Sequence, residues 1–213
     1  MDLRAKAIDI RKDIVNLIYH AGTGHIGGDL SVTDILVDLY YKQMNVGPDK
    51  VQDPERDRFV LSKGHCVEAL YTILADKGFF PKEELQTYSQ YLSKFIGHPN
   101  NKIAGVEVNS GSLGHGLAVG VGMALAAKMD QRAYRTYVVL GDGECDEGSV
   151  WEGAMAGPQY GLDNLTVFVD RNRLQISGTT EEVMGQDSAE ERWASFGWNV
   201  LSIPGNDMDA IDA

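Results

Sequence analysis

The sequence predicts an α/β fold with a mostly parallel sheet and helices on both faces. Three observations predict it. Short β-rich runs at residues 58–61, 136–140, 165–169 and 199–203 alternate with stretches of helical periodicity, the pattern of βαβ units. No repeat, low-complexity segment or linker divides the 213 residues, so 1–213 reads as a single domain. The composition, 43% hydrophobic and 23% charged, is that of a soluble globular chain.

The elements follow in order. Leu3, Ala7, Ile10, Ile14 and Leu17 recur at steps of three and four, which predicts a helix over 3–20 that Gly22 ends. A glycine-rich loop, Gly22 to Gly28, comes next. Ser31 and Asp34 have capping-box spacing before an apolar helix running to about Met44. Residues 47–57 are polar and turn-rich. After the strand at 58–61, a helix is expected from Val67 to near Gly78, and Pro81 is placed to open another. Residues 111–129 are small and apolar, which predicts a buried helix suited to close backbone packing. Helices at 150–159 and 190–196 separate the last strands. Residues 206–213 read as the start of a capped helix that stops after about two turns, so the domain is expected to be truncated at its C-terminus.

The formal charge is −12, from 19 Lys plus Arg and 31 Asp plus Glu. Such a chain repels phosphate backbones and anionic lipid, so neither nucleic acid nor membrane is an expected partner. Binding a phosphorylated ligand would require local neutralisation, for which a divalent metal is the natural agent. No apolar run reaches membrane-spanning length. Cys66 and Cys145 form no CxxC, and the N-terminal stretch does not resemble a signal peptide, which together predict a cytoplasmic protein with reduced thiols.

Two loops stand out for chemistry. Asp142 lies in Gly141-Asp142-Gly143, after the strand at 136–140, and Asn172 lies in Asp170-Arg171-Asn172, after the strand at 165–169. In a parallel sheet both fall at the carboxyl edge, where open α/β folds bind ligands. A carboxylate and a carboxamide oxygen are hard ligands of the kind magnesium takes, and magnesium completes its shell with phosphate oxygens. Glycines beside Asp142 let backbone amides approach a diphosphate. Either motif alone describes a turn; the pair points to a metal–diphosphate site.

Four of the five histidines, His25, His65, His98 and His115, directly follow a glycine, whereas His20 sits on the first helix. Loop histidines can exchange protons near neutral pH, and their spacing is not that of a zinc site. Gly22-Thr23-Gly24-His25-Ile26-Gly27 matches the dinucleotide fingerprint literally. However, a helix precedes it instead of a strand, which argues against a nicotinamide cofactor.

Together, Thr23-Gly24-His25, Ser62-Lys63-Gly64-His65, Gly97-His98-Pro99, Gly111-Ser112-Leu113-Gly114 and the stretch from Gly141-Asp142-Gly143 through Glu147 to Asp170-Arg171-Asn172 resemble the diphosphate-binding domain of transketolases. The loops at 23–28 and 111–116 most resemble the N-terminal subunits of split, two-chain members. The resemblance implies the thiamine-diphosphate-binding fold, with thiamine diphosphate and Mg²⁺ as cofactors. It implies that Asp142, Asn172 and the Leu174 carbonyl bind the metal, and that Gly143 and His65 hold the diphosphate. Gly111 and Leu113 would contact the aminopyrimidine, and His25, His65 and His98 would act in catalysis on the donor ketose. Glu147 and Glu152 would lie near a subunit interface. The implied activity is transfer of a two-carbon ketol unit between sugar phosphates. The implied partner is a separate C-terminal subunit carrying the pyrimidine-binding and C-terminal domains, in a heterotetramer. That partner would also carry the cofactor-activating glutamate, for which this chain has no room. Three positions depart from the family pattern. Ile26 replaces a usual proline, Thr23 a frequent serine, and Asp29 a small polar residue, which is expected to bring a negative charge beside the phosphosugar path.

Overall fold

A computed structural model describes residues 1–186 and 188–213. Helix α1 (Leu3–Ala21) starts at Asp2, whose carboxylate accepts from the Arg4 and Ala5 amides, and stops at Gly22, whose φ of 66° only glycine adopts freely. Helix α2 (Ile26–Asp38) starts earlier than the Ser31–Asp34 spacing predicts, so Ser31 lies inside it. Asp34 is taken instead by Arg11, which donates to both carboxylate oxygens at 2.9 and 2.6 Å; a bidentate guanidinium outcompetes a capping amide. A π-helical turn (Leu39–Gln43) carries the chain to Met44. Strand β1 (Arg58–Leu61) and helix α3 (Val67–Asp76) fall where expected. Beyond Pro81 the chain forms a 3₁₀ segment (Lys82–Thr87) instead of an α-helix, and it turns away at Ser89, whose φ is 59°.

Helix α4 (Gly116–Met129), strand β2 (Thr136–Gly141), helix α5 (Gly148–Gln159) and strand β3 (Leu165–Asp170) follow. A small antiparallel hairpin, β4 (Leu174–Gln175) and β5 (Gly178–Thr179), comes next. The last elements are helices α6 (Thr180–Val183), α7 (Ala189–Ser195) and α8 (Met208–Asp212), the last capped by Asp207.

The chain divides into two compact units. The first comprises Met1–Asp57, Gly64–Gly111 and Pro204–Ala213 and is helical. Here α1 buries Ala7, Ile10 and Ile14, one stripe of its surface, while α3 is buried from Val67 to Ala75. Each such buried isoleucine contributes about 1.5–3 kcal/mol.

The second unit, Arg58–Lys63 and Ser112–Ile203, holds the sheet, with parallel strands in the order β1-β2-β3. Leu61 pairs with Val139, and Gly141 with Asp170, so the loops after β2 and β3 leave the same edge side by side. Strand β2 is buried along its whole length. Helix α4 lies on the sheet at a distance only glycine permits, since a Cβ on Gly120 would fall 2.4 Å from Val138 Cγ2. Two expectations are corrected here. The helix predicted over 111–129 begins only at Gly116, because Gly111 and Gly114 have φ of 139° and 86°, and its Ala118, Val119, Gly122, Ala126 and Met129 are exposed. Residues 199–203 form no strand. Leu201 and Ile203 are 79% and 43% exposed, so no apolar burial rewards their pairing.

Candidate functional site

In the sheet unit, the site is assembled at the carboxyl edge. Asp142 follows β2 directly and is buried. Its Oδ1 accepts from the Gly143 N–H at 2.9 Å and its Oδ2 from the Arg173 N–H at 2.6 Å. Arg173 holds a left-handed backbone, φ 61°, which folds the chain after β3 back on itself. That turn is tied further by Asn172 Oδ1, which accepts from the Leu174 N–H at 3.0 Å. The structure therefore brings the Asp142 carboxylate against the segment that carries Asn172 and Leu174. Gly143 sits where a Cβ would come within 2.9 Å of Gln175 Cβ. Burial raises the Asp142 carboxyl above its ordinary range, opposed by the Arg173 and Gly143 amides.

The donor set suits magnesium. A carboxylate, a carboxamide and a backbone carbonyl are all hard oxygens. Among the described residues no three His, Cys, Asp or Glu side chains gather into a metal cluster, as expected for a set in which only Asp142 is of those types.

Sequence reasoning missed the supports beneath these loops. Lys63, fully buried after β1, forms an ion pair at 2.5 Å with Asp170 at the end of β3. Glu144, also buried, binds three backbone or hydroxyl donors. Its Oε1 accepts from the Gly114 N–H at 2.9 Å and from Ser62 Oγ, and its Oε2 accepts from the Gly141 N–H at 3.0 Å. Burial pushes its carboxyl upward, opposed by these hydrogen bonds. The available signal was position: Glu144 directly follows the Gly-Asp-Gly turn, and Lys63 comes two residues after the end of β1. Leu113, half-buried, immediately precedes Gly114.

In the helical unit, three of the four Gly-His pairs converge. The His25 ring centroid lies 5.5 Å from that of His65 and 6.3 Å from that of His98. His25 occupies the N-cap of α2 and His65 the 3₁₀ turn before α3. The His98 backbone carbonyl accepts from the Tyr71 hydroxyl at 3.0 Å, which anchors that loop. Gly111 packs on the His98 ring so closely that a Cβ would lie 2.6 Å from Cδ2. His115 belongs to the other unit, at the N-cap of α4. His20 is an exposed helix residue whose Nδ1 hydrogen-bonds the Asn16 carbonyl at 2.7 Å. The dinucleotide alternative fails structurally, because α1 and not a strand leads into Gly22.

Asp29 is placed differently from expectation. It is fully buried, and its Oδ1 accepts from the Ala69 N–H at 2.9 Å in the first turn of α3. Its charge serves helix capping and faces no surface path.

Paired loops at the carboxyl edge of a parallel sheet, as in the sheet unit, are where α/β proteins of the ligand-binding class take their ligands. The family model described as "Transketolase, thiamine diphosphate binding domain" matches residues 3–213, and the chain belongs to that family. It is 57% identical over 201 residues to a subunit of the apulose-4-phosphate transketolase of Phocaeicola vulgatus, covering 94% of this chain and 72% of that one. It is 43% identical to the 6-deoxy-6-sulfo-D-fructose transketolase subunit SqwG of a Clostridium species, covering 99% of this chain and 77% of that one. The transketolase structure from Campylobacter jejuni superposes with a TM-score of 0.93 at 32% identity, over 99% of this chain but 34% of that one. The chain thus spans about a third of the length of such transketolases and about three quarters of the length of the two relatives named as transketolase subunits. No described helix is long and apolar enough to cross a membrane.

Proposed function

We propose that this chain is the cofactor-binding subunit of a two-chain, thiamine-diphosphate-dependent transketolase that moves a two-carbon ketol unit between sugar phosphates. The observation that carries the reading is the 2.6 Å bond from the Arg173 N–H to Asp142 Oδ2, which gathers Asp142, Asn172 and Leu174 into one oxygen-rich turn. Residues 1–213 serve as one diphosphate-binding domain. Asp142, Asn172 and the Leu174 carbonyl hold Mg²⁺, and the Gly143 amide and His65 take the diphosphate. Gly111 and Leu113 orient the aminopyrimidine. When bound, thiamine diphosphate supplies the nucleophilic carbon and the electron sink for cleavage beside a ketose carbonyl. His25, His65 and His98 are the catalytic histidines, of which His25 and His98 hold and move hydroxyl protons of the sugar, a role typically worth about 10²–10⁴-fold per group.

The activity needs a second polypeptide. Relatives whose own names describe them as single subunits of a transketolase support this view. We place that partner, with the pyrimidine-binding and C-terminal domains, in a cytoplasmic heterotetramer with this chain. Glu147 and Glu152 are exposed and available to such an interface. The 57% identity to part of an apulose-4-phosphate transketolase makes apulose 4-phosphate the first ketose to assay.

Native mass spectrometry of the protein purified from its source tests the reading. The expected result is a complex with a second polypeptide in equal number, carrying the mass of thiamine diphosphate and a divalent ion. A chain that emerges alone and empty with cofactor supplied would overturn it.

A further inference from the structure

Glu144 has no role in the chemistry above, yet it is among the most heavily bonded side chains of the sheet unit. Its two carboxylate oxygens reach three separate segments. Oε2 accepts from Gly141, the residue before Asp142. Oε1 accepts from Gly114, the residue after Leu113, and from Ser62 at the end of β1. Ser62 Oγ in turn accepts from the Gly116 N–H at 3.1 Å. The Gly114 peptide is held from its other side as well, because Ser149 Oγ donates to the Gly114 carbonyl at 3.0 Å. The approach is too close for any other residue: a Cβ on Gly114 would lie 2.6 Å from Ser149 Oγ, and one on Gly116 would lie 2.4 Å from Ser62 Oγ.

We infer that Glu144, with Ser149 opposite, is a positioning residue that sets the spacing between the Leu113 loop and the Asp142 loop, and so matches the chain to a ligand with two recognition ends. Glu144 stands two residues after Asp142, so its Oε1 bond to the Gly114 N–H ties the Asp142 loop to the Leu113 loop, while its Oε2 bond to the Gly141 N–H fixes the carboxylate on its own turn. A glutamine in its place can accept through only one side-chain atom, so it cannot serve both amides and the tie to Gly114 weakens. The inference rests on the proposed contacts of Leu113 with the aminopyrimidine and of Asp142 with the metal–diphosphate.

The test separates the two ends. Isothermal titration calorimetry on the complex with its partner compares thiamine diphosphate with inorganic pyrophosphate, each with Mg²⁺. Pyrophosphate needs the Asp142 loop and His65 but not the Leu113 loop, whereas thiamine diphosphate needs the Leu113 loop as well, at its correct distance. Glu144→Gln is expected to weaken thiamine diphosphate by about tenfold or more, the scale of a lost charge-assisted hydrogen bond, while pyrophosphate changes by less than about threefold. Ser149→Ala, which leaves the Glu144 carboxylate in place, is expected to show the same selectivity at smaller size, and it stands as the second variant should Glu144→Gln not fold. Equal weakening of both ligands in these variants, with normal binding by the unaltered protein, overturns the positioning role and leaves the functional reading standing. An unaltered complex that binds neither ligand overturns the functional reading and this inference with it.

Discussion

The Lys63 ammonium lies 2.5 Å from the Asp170 carboxylate, with Lys63 fully buried and Asp170 nearly so. Lys63 leaves β1 and Asp170 ends β3, so the pair bridges the two outer strands across the end of β2. The Asp170 backbone carbonyl in turn accepts from the Asn172 N–H at 3.0 Å. Removing one partner of such a pair takes from a buried charge its ion-pair partner. Lys63→Met is therefore expected to destabilise the protein by about 3–5 kcal/mol, read from the urea midpoint. An unchanged midpoint would show that Asp170 is compensated elsewhere.

Asp142→Ala is expected to abolish Mg²⁺-dependent thiamine-diphosphate binding in the assembled complex while leaving the fold intact. The carboxylate is the one charged member of the proposed oxygen set. Calorimetry and circular dichroism check the two halves of this expectation. Cofactor affinity equal to that of the parent protein would sink the site assignment.

His25 lies on a loop, exposed, with its ring near those of His65 and His98. Its replacement by alanine should slow turnover by about 10²-fold or more and change cofactor affinity far less. Steady-state kinetics beside a cofactor titration distinguish the two effects. Normal turnover would return His25 to a structural role.

Gly111 has a φ of 139° and packs against the His98 ring. Gly111→Ala introduces both backbone strain and a methyl group that the ring must yield to. The expected outcome is a fall in turnover together with a loss of stability of about 1–3 kcal/mol. A variant with parental kinetics and melting temperature would contradict this close packing.

Asp76 receives Lys6 Nζ at 2.9 Å, Lys82 Nζ at 2.8 Å and the Tyr41 hydroxyl. Burial alone would raise its carboxyl, but these donors outweigh burial and hold it well below its ordinary value of 3.8. A carboxyl lowered on folding stabilises the protein above its unfolded pKa, and that contribution is lost as pH falls. Asp76→Asn is thus expected to lower the melting temperature at pH 7, with the gap to the parent protein closing as pH drops below 3.8. A gap that stays constant with pH would remove charge as the cause.

Much of the fold was legible from periodicity. Strands β1, β2 and β3 and helices α1, α3, α5 and α7 lie within a few residues of expectation, because each has a strong local pattern and a glycine, proline or polar stop. The misses share a cause. Ser31 and Asp34 have capping spacing, but Arg11, distant in sequence, takes Asp34. Residues 199–203 are β-rich, yet strand formation depends on a neighbour to bury against. Asp29 reads as a surface charge, and only the packing of α2 and α3 reveals it as a buried cap.

By itself the sequence determined the chemistry available: the side-chain oxygens of Asp142 and Asn172, the loop histidines, and the glycines that let backbone approach a ligand. These are local properties of residue type and spacing, and they carried the family resemblance. The tertiary structure alone decided which groups meet. It brought His25, His65 and His98 together, set Lys63 against Asp170, and joined Glu144 to Ser62, Gly114 and Gly141. Contacts between residues dozens of positions apart depend on sheet order and helix packing, which no local pattern encodes. Buried polar groups such as Glu144 take whichever partners that packing delivers, because leaving them unpaired would cost about 1–3 kcal/mol or more each.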